Sequence, residues 1–88
     1  MHELDLHGLR VEPARRRLER ELHACRVRGL GALRVIVGRG WGSPGQKPVL
    51  GPAIEAWLAT PEARSLGVRS CSRAARGGAL ELRLGPGS

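Results

Sequence analysis

An amphipathic helix between two short apolar segments restricts the fold of this chain more than any other feature. Within residues 12–28, apolar side chains recur at spacings of four, four and three, which indicates one buried helical face; they are Ala14, Leu18, Leu22 and Cys25. Pro13 suits the first helical turn, and Gly29 ends the helix. The apolar segment that ends at Asp5 and His7, and the segment 33–37, are typical of strands. Such a strand–helix–strand unit predicts parallel strands whose carboxyl ends meet at one edge of a sheet.

The second half of the chain adds one helix and two strands. Residues 38–51 are rich in glycine and proline and predict a loop, and Leu50, Ile54, Trp57 and Leu58 predict a second helix that Thr60-Pro61 stops. Residues 68–72 and 79–84 predict two strands, with Gly77-Gly78 in the turn before the last. The order βαβαββ predicts an α/β fold: a two-layer sandwich with a mixed four-stranded sheet and two helices. We expect one domain over residues 1–85 and a short flexible tail over 86–88.

Composition narrows the class of partner. The chain has 88 residues and contains neither Phe nor Tyr, so its core is aliphatic. The formal net charge is +7, carried almost entirely by arginine, which favours a polyanion such as nucleic acid. No apolar run reaches membrane-spanning length and no signal peptide is visible, so we expect an intracellular, cytoplasmic protein without a membrane partner.

Two polar side chains end the first strand. Asp5 and His7 are two residues apart, so in a strand they share a face, while Leu4 and Leu6 face the other layer. A carboxylate beside an imidazole fixes its tautomer and can hold its proton, as acid–base chemistry requires. The simpler interpretation is a strand end with two solvated polar residues.

The glycine-rich loop after the second strand is the other candidate. Its segment 38–42 is neither a dinucleotide fingerprint nor a Walker loop. However, it carries Arg39 and, further on, Lys47, with no acidic residue, which is consistent with a contact to backbone phosphate. Trp41 stacks a base or folds back onto the helices. The predicted phosphate-binding and nucleic-acid-binding residues are Gly8, Arg10, Gly38, Arg39, Gly40, Trp41 and Lys47.

The remaining charged residues and the cysteines have structural interpretations. The arginines of the first helix predict the ion pairs Glu12–Arg16, Arg15–Glu19 and Arg17–Glu21, which are typical of a solvated face. Whether arginines 69, 73, 76 and 83 extend a basic track stays open. His2 is expected to be terminal and mobile, and His23 to lie on the helix surface. Cys25 and Cys71 lack metal-ligand spacing and predict buried free thiols, so no metal ligands are assigned.

Several motifs in this order resemble the Smr (small MutS-related) domain over essentially the whole chain. They are Leu-Asp-Leu-His-Gly-Leu at 4–9, Val-Ile-Val-Gly-Arg-Gly at 35–40, Ser-Pro-Gly at 43–45, Pro-Val-Leu at 48–50, Trp-Leu at 57–58 and Gly-Gly-Ala-Leu at 77–80. The resemblance implies a fold similar to the C-terminal domain of bacterial translation initiation factor three. It also implies nucleic-acid binding, with nicking or endonuclease activity in many members and binding alone in others.

Three positions depart from the family pattern. The second motif commonly begins with His or Thr, and here that position is Val37, which removes any contact made by that side chain. Gly51 stands where related sequences often carry Lys, and Arg10 where they often carry a Thr helix cap.

Two functions follow. The first is an endonuclease in which Asp5 and His7 are catalytic and Arg39 clamps phosphate oxygens. An RNA 2′-hydroxyl nucleophile needs no metal, whereas DNA cleavage would need water and a divalent ion such as Mg²⁺ or Mn²⁺. The alternative is a non-catalytic binding module for structured or branched DNA or RNA. A third and weaker candidate function is that of a protein-interaction domain, whose positive charge reflects amino-acid composition alone.

Overall fold

Four strands form one mixed sheet in the computed structural model, which describes residues 2–38 and 50–85. In chain order the elements are β1 (Glu3–Asp5), α1 (Val11–Arg28), β2 (Ala32–Ile36), α2 (Leu50–Leu58), α3 (Pro61–Ser65), β3 (Val68–Ala74) and β4 (Ala79–Leu84). The strand order is β1-β2-β4-β3. β1 and β2 are parallel, as a helical crossover through α1 requires, and the other pairs are antiparallel.

The core lies between the helices and one face of this sheet. Leu33 and Val35 of β2 and Leu80 and Leu82 of β4 alternate with half-exposed residues and are almost fully buried. They pack in one cluster with the apolar stripe of α1. Burying each such leucine stabilises the fold by roughly 1.5–3 kcal/mol. The opposite face includes charged residues; there Arg34 and Glu81 lie in register, with Nε and Oε2 3.9 Å apart.

Helix α1 ends as its sequence predicts. Gly29 adopts the left-handed conformation with φ 69°, and its N–H donates to the carbonyl of Arg26. The N–H of Leu30 donates to the carbonyl of Cys25 at 2.9 Å. These bonds satisfy carbonyls that the helix itself leaves unpaired.

The expectation of two helices is wrong, because α3 is a third. Thr60 and Pro61 do follow the end of α2, but they also begin a helix. The Thr60 hydroxyl oxygen accepts a hydrogen bond from the N–H of Ala63 at 3.4 Å, and Pro61 occupies the first helical turn. Gly51 was assigned to the loop and lies inside α2.

The other boundaries differ little from the prediction. β4 has the bounds expected from its alternating leucines, and β3 runs two residues further than predicted. A 3-10 turn at Ala75–Gly77 joins them where Gly77-Gly78 predicted a turn. Both cysteines are free, Cys25 buried and Cys71 half-buried. No helix within the described ranges is long and apolar enough to cross a membrane. The predicted tail at 86–88 lies outside the described residues.

Candidate nucleic-acid interface

Asp5 and His7 form a hydrogen-bonded pair on the surface. The Nδ1 atom of His7 lies 2.5 Å from Oδ1 of Asp5, and the His7 backbone N–H donates to the same oxygen at 3.0 Å. Their side chains are 66% and 57% exposed, whereas Leu6 between them is fully buried. The predicted adjacency is confirmed, but its cause is different. β1 ends at Asp5, and a turn at His7, rather than strand alternation, brings the two side chains together.

The hydrogen bonds of the pair favour an ionised Asp5 and one tautomer of His7. The hydrogen bond from the His7 side chain, followed by the one from its backbone N–H, holds the pKa of Asp5 below its ordinary value. An ionised Asp5 accepts a hydrogen bond from Nδ1–H of His7. A neutral His7 that makes this bond is therefore the tautomer that carries its proton on Nδ1. The Nε2 atom then carries the free lone pair. The pair is therefore arranged to take up or deliver a proton at Nε2.

The end of β2 lies beside this pair, as the parallel arrangement predicts. The N–H of Leu6 donates to the carbonyl of Ile36 at 2.8 Å. A Cβ placed on Gly38 would lie 3.8 Å from the Cβ of His7, so the backbone of the second motif passes next to His7. Gly8 adopts φ 81° and so turns the chain after His7 toward α1. Two distant segments of the sequence thus meet at one edge of the sheet.

The turn between β3 and β4 fastens this edge from the other side. The carbonyl of Gly78 accepts hydrogen bonds from the N–H groups of Val37 and Gly38, at 2.9 and 3.0 Å. Within the same turn, Ala75 and Arg76 adopt φ 50° and 56°, a conformation that costs L-residues roughly 1–2 kcal/mol each. The exposed Arg76 is therefore held close to the end of β2. Sequence reasoning located this turn at Gly77-Gly78 but did not connect it to the His7 edge.

Helix α1 contributes a second cation, Arg17, because two of the three ion pairs predicted for this helix are wrong. Arg15–Glu19 is confirmed, but Glu12 pairs with Arg15 at 2.8 Å instead of Arg16, and Glu21 pairs with His2 instead of Arg17. Arg17 consequently has no ion pair within the part of the chain that the structure describes. It is close enough to Asp5 to help lower the pKa of that carboxyl.

The predicted Arg10 lies at the N-cap of α1, two residues beyond Gly8. Its side chain is exposed and caps no backbone N–H. A threonine at this position would satisfy one of the free N–H groups of the first turn; here they remain available. Arg17 thus acts on Asp5 directly, while Arg10 and Arg76 are exposed cations on the segments that adjoin this edge.

The strand arginines do not form one track with this edge. Arg73 binds Glu55 of α2 through two hydrogen bonds, from Nε at 3.0 Å and from a terminal nitrogen at 2.9 Å, so it faces the helical layer. Arg83 lies in register with Ser70, on the opposite face of the sheet. The basic surface is therefore split between two faces.

Four of the predicted binding residues, Arg39, Gly40, Trp41 and Lys47, lie outside the described residues. Val37, the departure from the family's second motif, is buried in the core cluster. Its side chain contributes packing, and only its backbone joins the edge.

The donor set around Asp5 and His7 is small for a metal ion. Across residues 2–38 and 50–85, no third His, Cys or acidic side chain lies within ligand distance of both. A group of three such side chains with their donor atoms close together does occur at the other end of β1, and it comprises His2, Glu21 and Cys25. Residue spacing does not predict this cluster, because its members are far apart along the chain.

Comparisons with known proteins agree with the overall fold. The family model of the Smr domain matches residues 4–80. The Smr domain of Thermus thermophilus MutS2 is similar in structure, with a TM-score of 0.77 and 30% sequence identity over 98% of this chain and 100% of that one. The human small-MutS related domain has a TM-score of 0.69 and 32% identity, over 93% and 99% of the two chains. The B3BP Smr domain has a TM-score of 0.65 and 31% identity, over 96% of this chain and 78% of that one. No curated protein sequence gives a significant match.

The mixed four-stranded sheet, together with the family-model match over residues 4–80, defines the class. The chain belongs to the Smr domain family. This family is associated with nucleic-acid binding and, in some members, with nuclease activity.

Proposed function

We propose that this domain binds nucleic acid at the edge formed by His7, Gly38 and the turn at Arg76, and that it cleaves RNA there. The observation that carries the proposal is the exposed Asp5–His7 hydrogen bond, beside the point where the second motif begins. An exposed imidazole with an assigned tautomer is what a proton-transfer step at a phosphodiester requires.

In the proposed reaction, His7 Nε2 takes the proton from a ribose 2′-hydroxyl. The 2′-oxygen attacks the adjacent phosphorus while the bond from phosphorus to the 5′-oxygen breaks, and that leaving oxygen takes a proton from water. The products are a 2′,3′-cyclic phosphate and a 5′-hydroxyl. Asp5 stabilises the imidazolium that forms. Arg39, which follows Gly38 in the sequence, and Arg76 would offset the extra negative charge on the phosphoryl oxygens.

RNA is favoured over DNA because its nucleophile is part of the substrate. Hydrolysis of DNA needs an activated water, usually on a divalent ion, and Asp5 is the one carboxylate in the pair. RNA cleavage is therefore expected in EDTA, and a single 2′-deoxy substitution at the cleaved position should block it.

A non-catalytic binding module is the second candidate, and Val37 is the observation that favours it. Its burial leaves the second motif without a side chain for chemistry at that position. Under this alternative the domain shows affinity that falls steeply with salt, and no cleavage with any metal ion.

One experiment decides between the two. Wild type and His7→Ala are incubated with labelled single-stranded RNA, duplex DNA and branched DNA, in EDTA, Mg²⁺ or Mn²⁺. We expect cleavage of RNA in EDTA, and a loss on the order of 10²–10⁴-fold in His7→Ala with binding unchanged within a few-fold. His23→Ala is the matched control, because His23 is an exposed histidine on α1. Equal cleavage by His7→Ala would disprove the catalytic assignment, and binding without cleavage would establish the module.

A further inference from the structure

A second constellation lies at the start of β1, at the opposite end of that strand from His7. It combines an imidazole, a carboxylate and a thiol, from His2, Glu21 and Cys25. One donor atom from each lies within 4.8 Å of the other two. The His2 Nε2 and Glu21 Oε2 atoms are paired directly.

The fold holds these three residues in place. Glu21 and Cys25 are one helical turn apart on α1, so they share a face. His2 extends β1, since its carbonyl accepts a hydrogen bond from the N–H of Arg34 at 2.8 Å. The expectation that His2 is terminal and mobile is therefore wrong. Its position depends on how α1 crosses the sheet, which spacing along the sequence does not reveal.

The burial of the cluster is suited to a bound ion. Cys25 is fully buried, while the side chains of His2 and Glu21 are 34% and 23% exposed. An ion bound to all three side chains would therefore lie at the boundary between solvent and the core, partly shielded from water.

The chemistry of the donors selects the kind of ion. Nitrogen and sulfur ligands favour Zn²⁺, whereas Mg²⁺ and Ca²⁺ prefer oxygen alone. Around tetrahedral zinc, bonds of about 2.0–2.3 Å separate the donor atoms by roughly 3.3–3.8 Å. To bind zinc, the three donor atoms, which lie within 4.8 Å of one another, would adjust to that spacing. Three protein ligands leave a fourth position for water.

We propose that His2, Glu21 and Cys25 form a binding site for Zn²⁺ that fastens the three-residue edge strand β1 to α1. On binding, the Cys25 thiol releases its proton to solvent and forms a sulfur–zinc bond, and Zn²⁺ replaces the direct pairing of His2 with Glu21. The site does not depend on the proposed nuclease function.

The test uses the whole chain, without a polyhistidine tag and freed of metal with EDTA. Co²⁺ titration should give saturable 1:1 binding, with a sulfur-to-cobalt charge-transfer band and the visible bands of tetrahedral cobalt. Zn²⁺ should displace the cobalt. Because the ion binds only the folded state, Zn²⁺ at about a hundredfold above Kd should raise Tm by about 10 °C or more.

Matched variants assign the ligands. Cys25→Ala should lose the charge-transfer band, and His2→Ala and Glu21→Gln should weaken binding tenfold or more. The latter two alter partly exposed side chains, so they remain informative if Cys25→Ala fails to fold. Cys71→Ala and His23→Ala, in a cysteine and a histidine outside the cluster, should bind as wild type does. Absence of 1:1 binding, an unchanged cobalt spectrum in Cys25→Ala, or unchanged affinity in both His2→Ala and Glu21→Gln would overturn the proposal.

Discussion

The described part of the chain contains two pairs of a histidine with a carboxylate, one at each end of β1, and they differ in almost every other respect. Asp5 and His7 are two residues apart, joined across a turn and more than half exposed. His2 and Glu21 are 19 residues apart, joined between a strand and a helix, and less exposed. A buried thiol accompanies only the second pair.

The difference shows how the environment divides two similar pairs between two roles. An exposed pair with a free Nε2 can meet a substrate, and its geometry needs little of the fold beyond a single turn. A pair between a strand and a helix forms only when the tertiary structure forms. Such a pair is therefore present only in the folded state and can stabilise it. Residue types alone do not distinguish these roles.

The largest effect is expected from Leu6, the buried residue inside the exposed pair. Leu6→Ala removes a fully buried side chain and should lower the free energy of unfolding by about 2–5 kcal/mol. Leu9→Ala is the control, because Leu9 is 36% exposed, and it should cost less than about 1 kcal/mol. Urea denaturation measures both. Equal costs would show that β1 is not anchored through Leu6.

A smaller and more selective effect is expected from two glycines in the left-handed backbone conformation, one associated with each histidine–carboxylate pair. Gly8 follows the exposed pair and Gly29 caps the helix that carries Cys25, and a Cβ at either position meets no atom within 4 Å. Gly8→Ala and Gly29→Ala should therefore each cost about 1–2 kcal/mol through backbone strain alone.

Their consequences should differ. Gly8→Ala is expected to reduce RNA cleavage and leave Co²⁺ affinity unchanged, while Gly29→Ala should do the reverse. Gly31→Ala, which has open space and no positive φ, serves as the control for a glycine near the end of α1. If both strained variants impair both activities, the two ends of β1 are coupled and the contrast fails.

The smallest effect concerns the titration of Asp5. Because hydrogen bonds from His7 lower its pKa, the contribution of this pair to stability is fully present above the ordinary pKa, and it is lost as the pH falls through the lowered value. In His7→Ala the pKa of Asp5 should rise toward its ordinary 3.8. Carboxyl NMR of Asp5 in both proteins measures this. An unchanged Asp5 pKa would mean that His7 does not hold the carboxylate.

Short-range patterns predicted much of the fold. The alternating leucines of residues 79–84 located β4, and the apolar stripe from Ala14 to Cys25 located α1, because both patterns follow from local geometry and burial. Thr60-Pro61 was only half understood, since the same residues that stop one helix can cap the next.

The candidate site, like the fold, was predictable in part. Asp5, His7 and Gly38 met as expected because the strand–helix–strand rule fixes which ends of parallel strands meet. Arg17 was expected to pair with Glu21, the position of Arg76 stayed open, and the His2 cluster was not predicted. Their neighbours depend on how the helix crosses the sheet and on the turn between β3 and β4, and neither leaves a signal in residue spacing.

The two hydrogen bonds accepted by the carbonyl of Gly78 also bear on biosynthesis. A ribosome-bound chain that has emerged only through β2 already contains Asp5 and His7, but the end of β2 lacks the partner that positions Gly38. The complete edge forms only after the last hairpin has been synthesised and docked. A nuclease built in this way would remain inactive toward the messenger and ribosomal RNA around it until β3 and β4 have left the ribosome and β4 has paired with β2.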